Sequence, residues 1–351
     1  MKNLSICIIG KNEELHLEKC LCALSKLQAE IVFVDTGSTD KTKEIASMYT
    51  DKMFDFNWIG DFSSARNYSV QKATNDWILI IDCDEYITDF CQSDIEDFLS
   101  GPPHRLGRIL QSNLMGEDSE HSSIYNQRID RLFHRKYYQF TGIIHEQLTS
   151  LTNIPYSFSD INLTVLHDGY LGSVEEQDAK NKRNLSLLLE ALYHNPDDPY
   201  LNLQIGQTYF SMQRYEEAVN YYERALNTPL NFRSDAASML VYGWINCLNE
   251  LHRSNEALAI LPHYDELSDY ADFPLLMGHV YANLGKFPEA TAEYLKALSI
   301  PKCHKAGSNS YLPYYHIANL YRALGDLKTA AIMYQKSLPY PPAQKSLKEI
   351  I

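Results

Sequence analysis

Short apolar runs alternate with amphipathic segments over the first ninety residues. Ser5-Ile6-Cys7-Ile8-Ile9 and Ile31-Val32-Phe33-Val34 read as strands, and Trp77-Ile78-Leu79-Ile80-Ile81 lacks polar alternation, as expected of a strand buried on both faces. Residues 52–56 predict a further short strand. Between them, residues 13–25 carry Leu15, Leu17, Leu21 and Leu24 on an imperfect apolar face, and residues 61–73 repeat the helical pattern. Asp35-Thr36-Gly37-Ser38-Thr39-Asp40 is a turn rich in capping residues, and it opens a helix holding Ile45, Ala46 and Tyr49. Strand and helix in alternation predict a mostly parallel sheet covered by helices. Beyond the Gly101-Pro102-Pro103 turn, β-like stretches at 108–114, 130–134 and 162–167 predict additional strands.

After Gly172 the pattern becomes helical. Gly206, Tyr209, Ala218, Tyr222, Ala225 and Pro229 recur at the same offsets as Gly278, Tyr281, Ala290, Tyr294, Ala297 and Pro301, and Ala318, Tyr321, Ala330, Tyr334 and Ser337 follow the same spacing. This small-and-aromatic code resembles tetratricopeptide repeats, whose period is about 34 residues. A degenerate unit around Ile245, Leu248, Ala257 and Leu261 fills the gap, so roughly four helical hairpins stack as a solenoid. The expected organisation is an α/β domain over 1–172, a helical connector over 173–195 and an all-α repeat domain over 196–351. The tyrosines and alanines are packing residues; the concave surface of such a solenoid suits an extended acceptor, a partner protein or a second copy of the chain.

A length of 351 residues is right for two cores. With 31 Lys plus Arg against 45 Asp plus Glu, the net charge of −14 repels a polyphosphate backbone and argues against nucleic acid. A nucleotide diphosphate remains compatible, because a divalent cation and a few cationic side chains reverse the field inside one cleft. Residues 1–5 lack the apolar run of a signal peptide, and residues 77–81 are far too short to span a membrane, so a cytoplasmic location is expected. Seven cysteines without framework spacing fit reduced thiols.

Ligands of open α/β sheets bind beyond the carboxyl ends of the strands. Here those ends carry Asn12-Glu13, Asp35 and Asp82-Cys83-Asp84. On an extended chain, Asp82 and Asp84 would face one side and converge on a hard cation such as Mg²⁺ or Mn²⁺, which one or two carboxylates hold while it bridges to phosphates. A polar turn capping a buried strand would look the same in isolation.

Four ordered motifs resolve this ambiguity: Ile8-Ile9-Gly10-Lys11-Asn12-Glu13, Ile31 through Asp40, Asp61-Phe62-Ser63-Ser64-Ala65-Arg66-Asn67, and Asp76 through Glu85. Together they make residues up to about 170 resemble a family-2 glycosyltransferase of the GT-A fold, a Rossmann-like, mostly parallel sheet. The resemblance implies that Glu13 and Asp35 hold the nucleoside, that Asp82 and Asp84 serve ribose, diphosphate and metal with Asp84 as metal ligand, and that Arg66 lies near the donor. It implies a nucleotide-sugar donor, with UDP-sugar expected, and Mn²⁺ or Mg²⁺ as cofactor. The layout with trailing repeats is similar to bacterial glycosyltransferases that modify peptides, which points to a Ser, Thr or Cys acceptor docked by the repeats; cell-surface glycans and lipid-linked acceptors are the alternative. Further matching features are Arg131-Leu132-Phe133, Phe140 through Glu146 and Val165 through Tyr170.

Displacement at an anomeric carbon needs a base for the acceptor proton, and Glu146 is the acid chosen for it. His167 is suited to complete the metal's coordination. Arg131 and Arg135 are phosphate-binding candidates, with a solvated basic patch an equal reading for Arg135. His145 is either in contact with ligand or supports a residue that is. A nucleotidyltransferase would share the sheet and the acids, but it calls for a Gly-rich phosphate loop, and residues 5–14 contain one glycine. A non-catalytic repeat scaffold with a degenerate front domain is the other alternative, and the presence of every expected acid argues against it.

Overall fold

The apolar runs form the parallel half of one sheet. In this computed structural model, described over residues 1–115, 123–169 and 174–350, β1 (Leu4–Gly10), β2 (Glu30–Asp35), β3 (Met53–Asp55) and β4 (Trp77–Ile80) pair in parallel in the order β3-β2-β1-β4. Alternation sends Ile6, Ile8 and Phe33 to one face, where Leu17, Leu21 and Leu24 of α1 (Leu17–Ser25) cover them. Cys7, Val32, Ile78 and Ile80 pack on the other face with Phe133, Tyr138 and Phe140. The chain continues through α2 (Thr42–Ser47) and α3 (Phe62–Lys72), which Asp61 caps by accepting from the Ser64 N–H at 3.0 Å.

The remaining strands are β5 (Glu85–Phe90), β6 (Arg105–Met115), β7 (Ser123–His134) and β10 (Ser157–His167), with α4 (Gln92–Ser100) between β5 and β6. They complete an eight-stranded order β3-β2-β1-β4-β7-β6-β10-β5, while β8 (Tyr138–Thr141) and β9 (Gln147–Ser150) form a separate ribbon. Three strands therefore intervene between β4 and β5. In a flat sheet that separation would be about 19 Å, whereas the residues joining Ile80 to Glu85 reach roughly 17 Å when fully extended. The sheet must curl, and the turn carrying Asp82 and Asp84 crosses the curl.

Two expectations need correction. The helix predicted from residue 13 begins at Leu17, because Asn12 is left-handed (φ 57°) and residues 13–16 form a turn, with Glu13 O accepting from the His16 and Leu17 N–H groups. The strand expected to run through Ile81 ends at Ile80, and residues 82–85 form a turn closed by the Glu85 N–H on Asp82 O at 3.1 Å.

The chain divides into two compact units, Met1–Ala179 and Lys180–Ile351. The boundary expected at residues 172 and 173 lies outside the described residues. The second unit begins within α5 (Val174–His194), the helix read as a connector, and contains the hairpins α6 (Pro199–Ser211) with α7 (Tyr215–Leu226), α10 (Asp272–Asn283) with α11 (Phe287–Ser299), and α12 (Tyr311–Ala323) with α13 (Leu327–Lys336). The degenerate unit pairs α8 (Asp235–Glu250) with a 3₁₀ helix at Glu256–His263, in which Pro262 supplies no N–H, followed by the short α9 (Tyr264–Leu267); α14 (Pro341–Ile350) closes the order.

The repeat code has a steric basis. A Cβ at Gly206 would lie 2.6 Å from the Tyr222 ring, and one at Gly243 would strike the Tyr222 hydroxyl end, so two helices press on one buried tyrosine. Where the third repeat has Ala318 instead, Tyr334 remains fully buried and donates its hydroxyl to Asn319. Gly206→Ala is expected to destabilise the protein by about 1–3 kcal/mol, because Tyr222 has no free side toward which to yield. Thermal unfolding checks this, and an unchanged or raised midpoint would contradict it.

Candidate active site

The carboxyl ends of β1 and β2 are stitched together by backbone and side-chain hydrogen bonds. Thr36 donates its N–H to Gly10 O at 2.9 Å, Asn12 Oδ1 accepts from the Thr39 N–H at 2.8 Å, and the Glu13 N–H donates to Thr42 Oγ1 at 2.7 Å. Asp40 secures the other side, accepting from Thr42 Oγ1 at 2.6 Å and the Glu14 N–H at 3.2 Å. Inside this frame Asp35 is buried. Its Oδ2 accepts from the Gly37 and Ser38 N–H groups, both at 3.0 Å, while its Oδ1 has no hydrogen-bond partner among the described residues. A Cβ at Gly10 would come 2.9 Å from Cys83 Sγ, so a bare glycine lets the β1 end approach the Asp82–Asp84 turn.

At that turn, Asp82 binds two guanidiniums: Arg66 Nη2 at 2.8 Å and Arg131 Nη2 at 2.7 Å. Arg66 comes from α3 and also donates Nε to Glu146, so Arg66, Asp82, Arg131 and Glu146 form one network although they are far apart in sequence. Glu146 accepts no other hydrogen bond among the described residues. Burial pushes the Asp82 carboxyl up, but the Arg131 and Arg66 charges outweigh it and hold the group well below the usual carboxylate range. Arg66 Nη1 and Arg131 Nε are buried donors without hydrogen-bond partners among the described residues.

Sequence reasoning missed Glu85 as a member of this network. It is fully buried, accepts from Arg131 at 3.0 Å, from Gln111 Nε2 at 2.6 Å and from the Asp82 N–H at 2.8 Å. Burial, reinforced by the Asp82 charge, raises its carboxyl. Gln111 in turn accepts from Gln127 Nε2 at 2.6 Å.

Asp82 and Asp84 take different partners. The extended geometry that would have placed them together is replaced by the 82–85 turn, and Asp84 faces His167 instead, with Oδ2 3.3 Å from Nε2. Burial lowers the imidazole's proton affinity, but the Asp84 carboxylate more than restores it and the net shift is upward. Among the described residues no three His, Cys, Asp or Glu side chains gather as a metal-holding group. The Asp84–His167 pair nevertheless fits a cation that takes its other ligands from phosphate and water. Gly169 leaves the space: a Cβ there would collide with Asp84 Oδ2 and lie 2.7 Å from His167 Nε2. Asp168 closes the rim, receiving Tyr86 Oη at 3.1 Å, with Lys19 3.5 Å away.

Arg135 lies apart from these acids, at the opposite end of β4. It pairs with Asp76 at 3.1 Å and donates to Ala73 O at 2.7 Å, securing the end of α3, so the phosphate reading does not hold for it. His145 precedes Glu146 in a left-handed conformation (φ 49°), in a loop tied to α3 by the Phe62 N–H on Ile143 O at 2.9 Å. No helix among the described residues is long and apolar enough to cross a membrane.

Residues 5–159 match the profile of Glycosyl transferase family 2, and residues 199–228, 275–302 and 313–343 match a tetratricopeptide repeat. The SPbeta prophage-derived glycosyltransferase SunS of Bacillus subtilis is 28% identical over 236 residues, 64% of this chain and 53% of its own. A TPR repeat-containing protein of Synechococcus elongatus is 28% identical over 214 residues, covering 59% of this chain and 52% of its own. The chain thus spans about half the length of the curated relatives it matches. The crystal structure of MamA superposes on 50% of this chain and 95% of its own, with 18% identity and a TM-score of 0.39. The resemblance read from the four motifs is thereby upheld: residues 5–159 form a domain of glycosyl transferase family 2, and tetratricopeptide repeats follow it in the same chain.

Proposed function

We propose that the protein is a metal-dependent, inverting glycosyltransferase that moves a sugar from a nucleotide donor, a UDP-sugar, to a peptide side chain. The observation that carries this reading is a set of buried polar atoms without hydrogen-bond partners among the described residues: the acceptor Asp35 Oδ1 and the donors Arg66 Nη1 and Arg131 Nε. Leaving such atoms unsatisfied costs about 1–3 kcal/mol each. A nucleoside N–H or O–H would satisfy the first, and diphosphate oxygens the other two.

Asp35 and the Glu13 turn hold the nucleoside, while Arg66 and Arg131 take the negative charge of the diphosphate. Asp84 and His167 would hold Mn²⁺ or Mg²⁺, which when bound supplies Lewis-acid stabilisation of the leaving diphosphate. Glu146, anchored by Arg66 through one oxygen, keeps the other for the acceptor proton. The repeats dock the acceptor or a partner protein.

The direct test is a hydrolysis screen of nucleotide sugars with Mn²⁺, Mg²⁺ or a chelator. Release of nucleotide from one donor class, abolished by chelation, is expected; full activity in chelator would defeat the metal assignment. Asp35→Asn gives a sharper test of the nucleoside site. The amide oxygen can still accept from Gly37 and Ser38, so the loop survives, but an NH₂ then replaces the bare acceptor. Nucleotide affinity should fall by roughly 10–100-fold, the equivalent of one charge-assisted hydrogen bond. Calorimetry with UDP measures it, and an unchanged affinity would place the nucleoside elsewhere.

A further inference from the structure

His167 is braced from the strand beside it. The β10–β6 register sets His167 opposite Asn113, and the β6–β7 register sets Asn113 opposite Tyr125. Asn113 is 1% exposed, and each end of its amide is used. Nδ2 donates to Tyr125 O at 3.3 Å, which fixes the amide's orientation, because a carbonyl oxygen cannot donate in return. Oδ1 is thereby aimed at His167 Nδ1, 2.8 Å away.

An amide oxygen only accepts, so His167 must carry its proton on Nδ1, and the neutral ring then presents a lone pair at Nε2. That lone pair faces Asp84 Oδ2 at 3.3 Å, another atom with only lone pairs to offer. Two such atoms at this distance are complementary to a cation held between them. With the opposite tautomer, Nε2–H would donate to Asp84 and close the site as an ordinary hydrogen bond. We propose that Asn113 is a positioning residue that fixes the ring orientation and tautomer of His167, converting the Asp84–His167 pair from a closed hydrogen bond into a divalent-cation site. This rests on the reading of Asp84 and His167 as the metal-holding pair.

The experiment uses the full chain with isotope-labelled histidine and two readouts. Proton–nitrogen NMR of the metal-free protein, at an alkaline pH where the ring is neutral, reports which His167 nitrogen is protonated; calorimetry with Mn²⁺ alone reports metal affinity. The wild type should show Nδ1–H. Asn113→Leu should lose that preference and bind Mn²⁺ about 10–100-fold more weakly, whereas Asn113→Asp, which retains an acceptor facing Nδ1, should keep both properties. A wild-type ring protonated at Nε2 overturns the proposal without any variant. Equal losses in Asn113→Leu and Asn113→Asp would also overturn it, since they would show packing rather than tautomer control. If the wild type has the Nδ1–H tautomer but does not bind Mn²⁺, the metal reading fails while the orienting contact stands, so the two failures are distinguishable.

Discussion

Glu146→Gln is expected to lower turnover on a hydroxyl acceptor by roughly 10²–10⁴-fold, the usual contribution of a positioned base, while leaving donor binding intact. The separation is clean because glutamine's amide oxygen can still accept from Arg66 Nε, so the Arg66–Asp82 pair keeps its orientation and only basicity is removed. Single-turnover rates and donor calorimetry with Mn²⁺ measure the two effects. On a cysteine acceptor the penalty should be smaller and should shrink as pH rises, because a thiol of pKa near 8.5 supplies its own thiolate. An unchanged rate on a hydroxyl acceptor would return Glu146 to the role of an anchor for Arg66.

Asp84→Asn should behave differently, weakening metal and donor together. It removes the carboxylate 3.3 Å from His167 Nε2, so the rate should fall by roughly 10²–10³-fold, consistent with several kcal/mol of lost charge stabilisation. Mn²⁺ calorimetry and turnover on the same preparation provide the comparison. Normal Mn²⁺ affinity in this variant would relocate the metal, and Asp82, already committed to two arginines, would have to exchange one of them to receive it.

Much of this arrangement was legible in the sequence because burial on both faces leaves an apolar run with few other interpretations, as in β1, β2 and β4. The strands that escaped did so for physical reasons. β5, Glu-Tyr-Ile-Thr-Asp-Phe, begins with an acid that is buried only because Arg131 and Gln111 meet it, and those residues arrive from distant strands. β8 and β9 are four residues each, too short for any period to emerge. Gln111 and Asn113 look like solvent-facing positions because they are polar, yet alternation places them on the same strand face as fully buried Ile109. That continuity was the available signal for the residues around Glu85 and His167. The pairing of Asp84 with His167 rather than Asp82 depended on a turn whose geometry no residue pattern announces.

Strand order also has a consequence for how the molecule is made. Both borders of the large sheet, β3 and β5, come from the first ninety residues, and the strands that fill its middle, β7, β6 and β10, are synthesised afterwards. In a nascent chain exposed only as far as α4, β4 would already have β1 beside it, but its other neighbour β7 and the β5 partner β10 would still be missing. Both would present open ladders, the condition that invites mispairing with other chains. Because the Asp82–Asp84 turn lies in that gap, Arg131 of β7 and His167 of β10 reach it only as the late strands are inserted. During translation the front unit therefore passes through a stage with its borders laid down and its centre vacant, and chaperone demand should peak there and subside once residue 167 has cleared the ribosome.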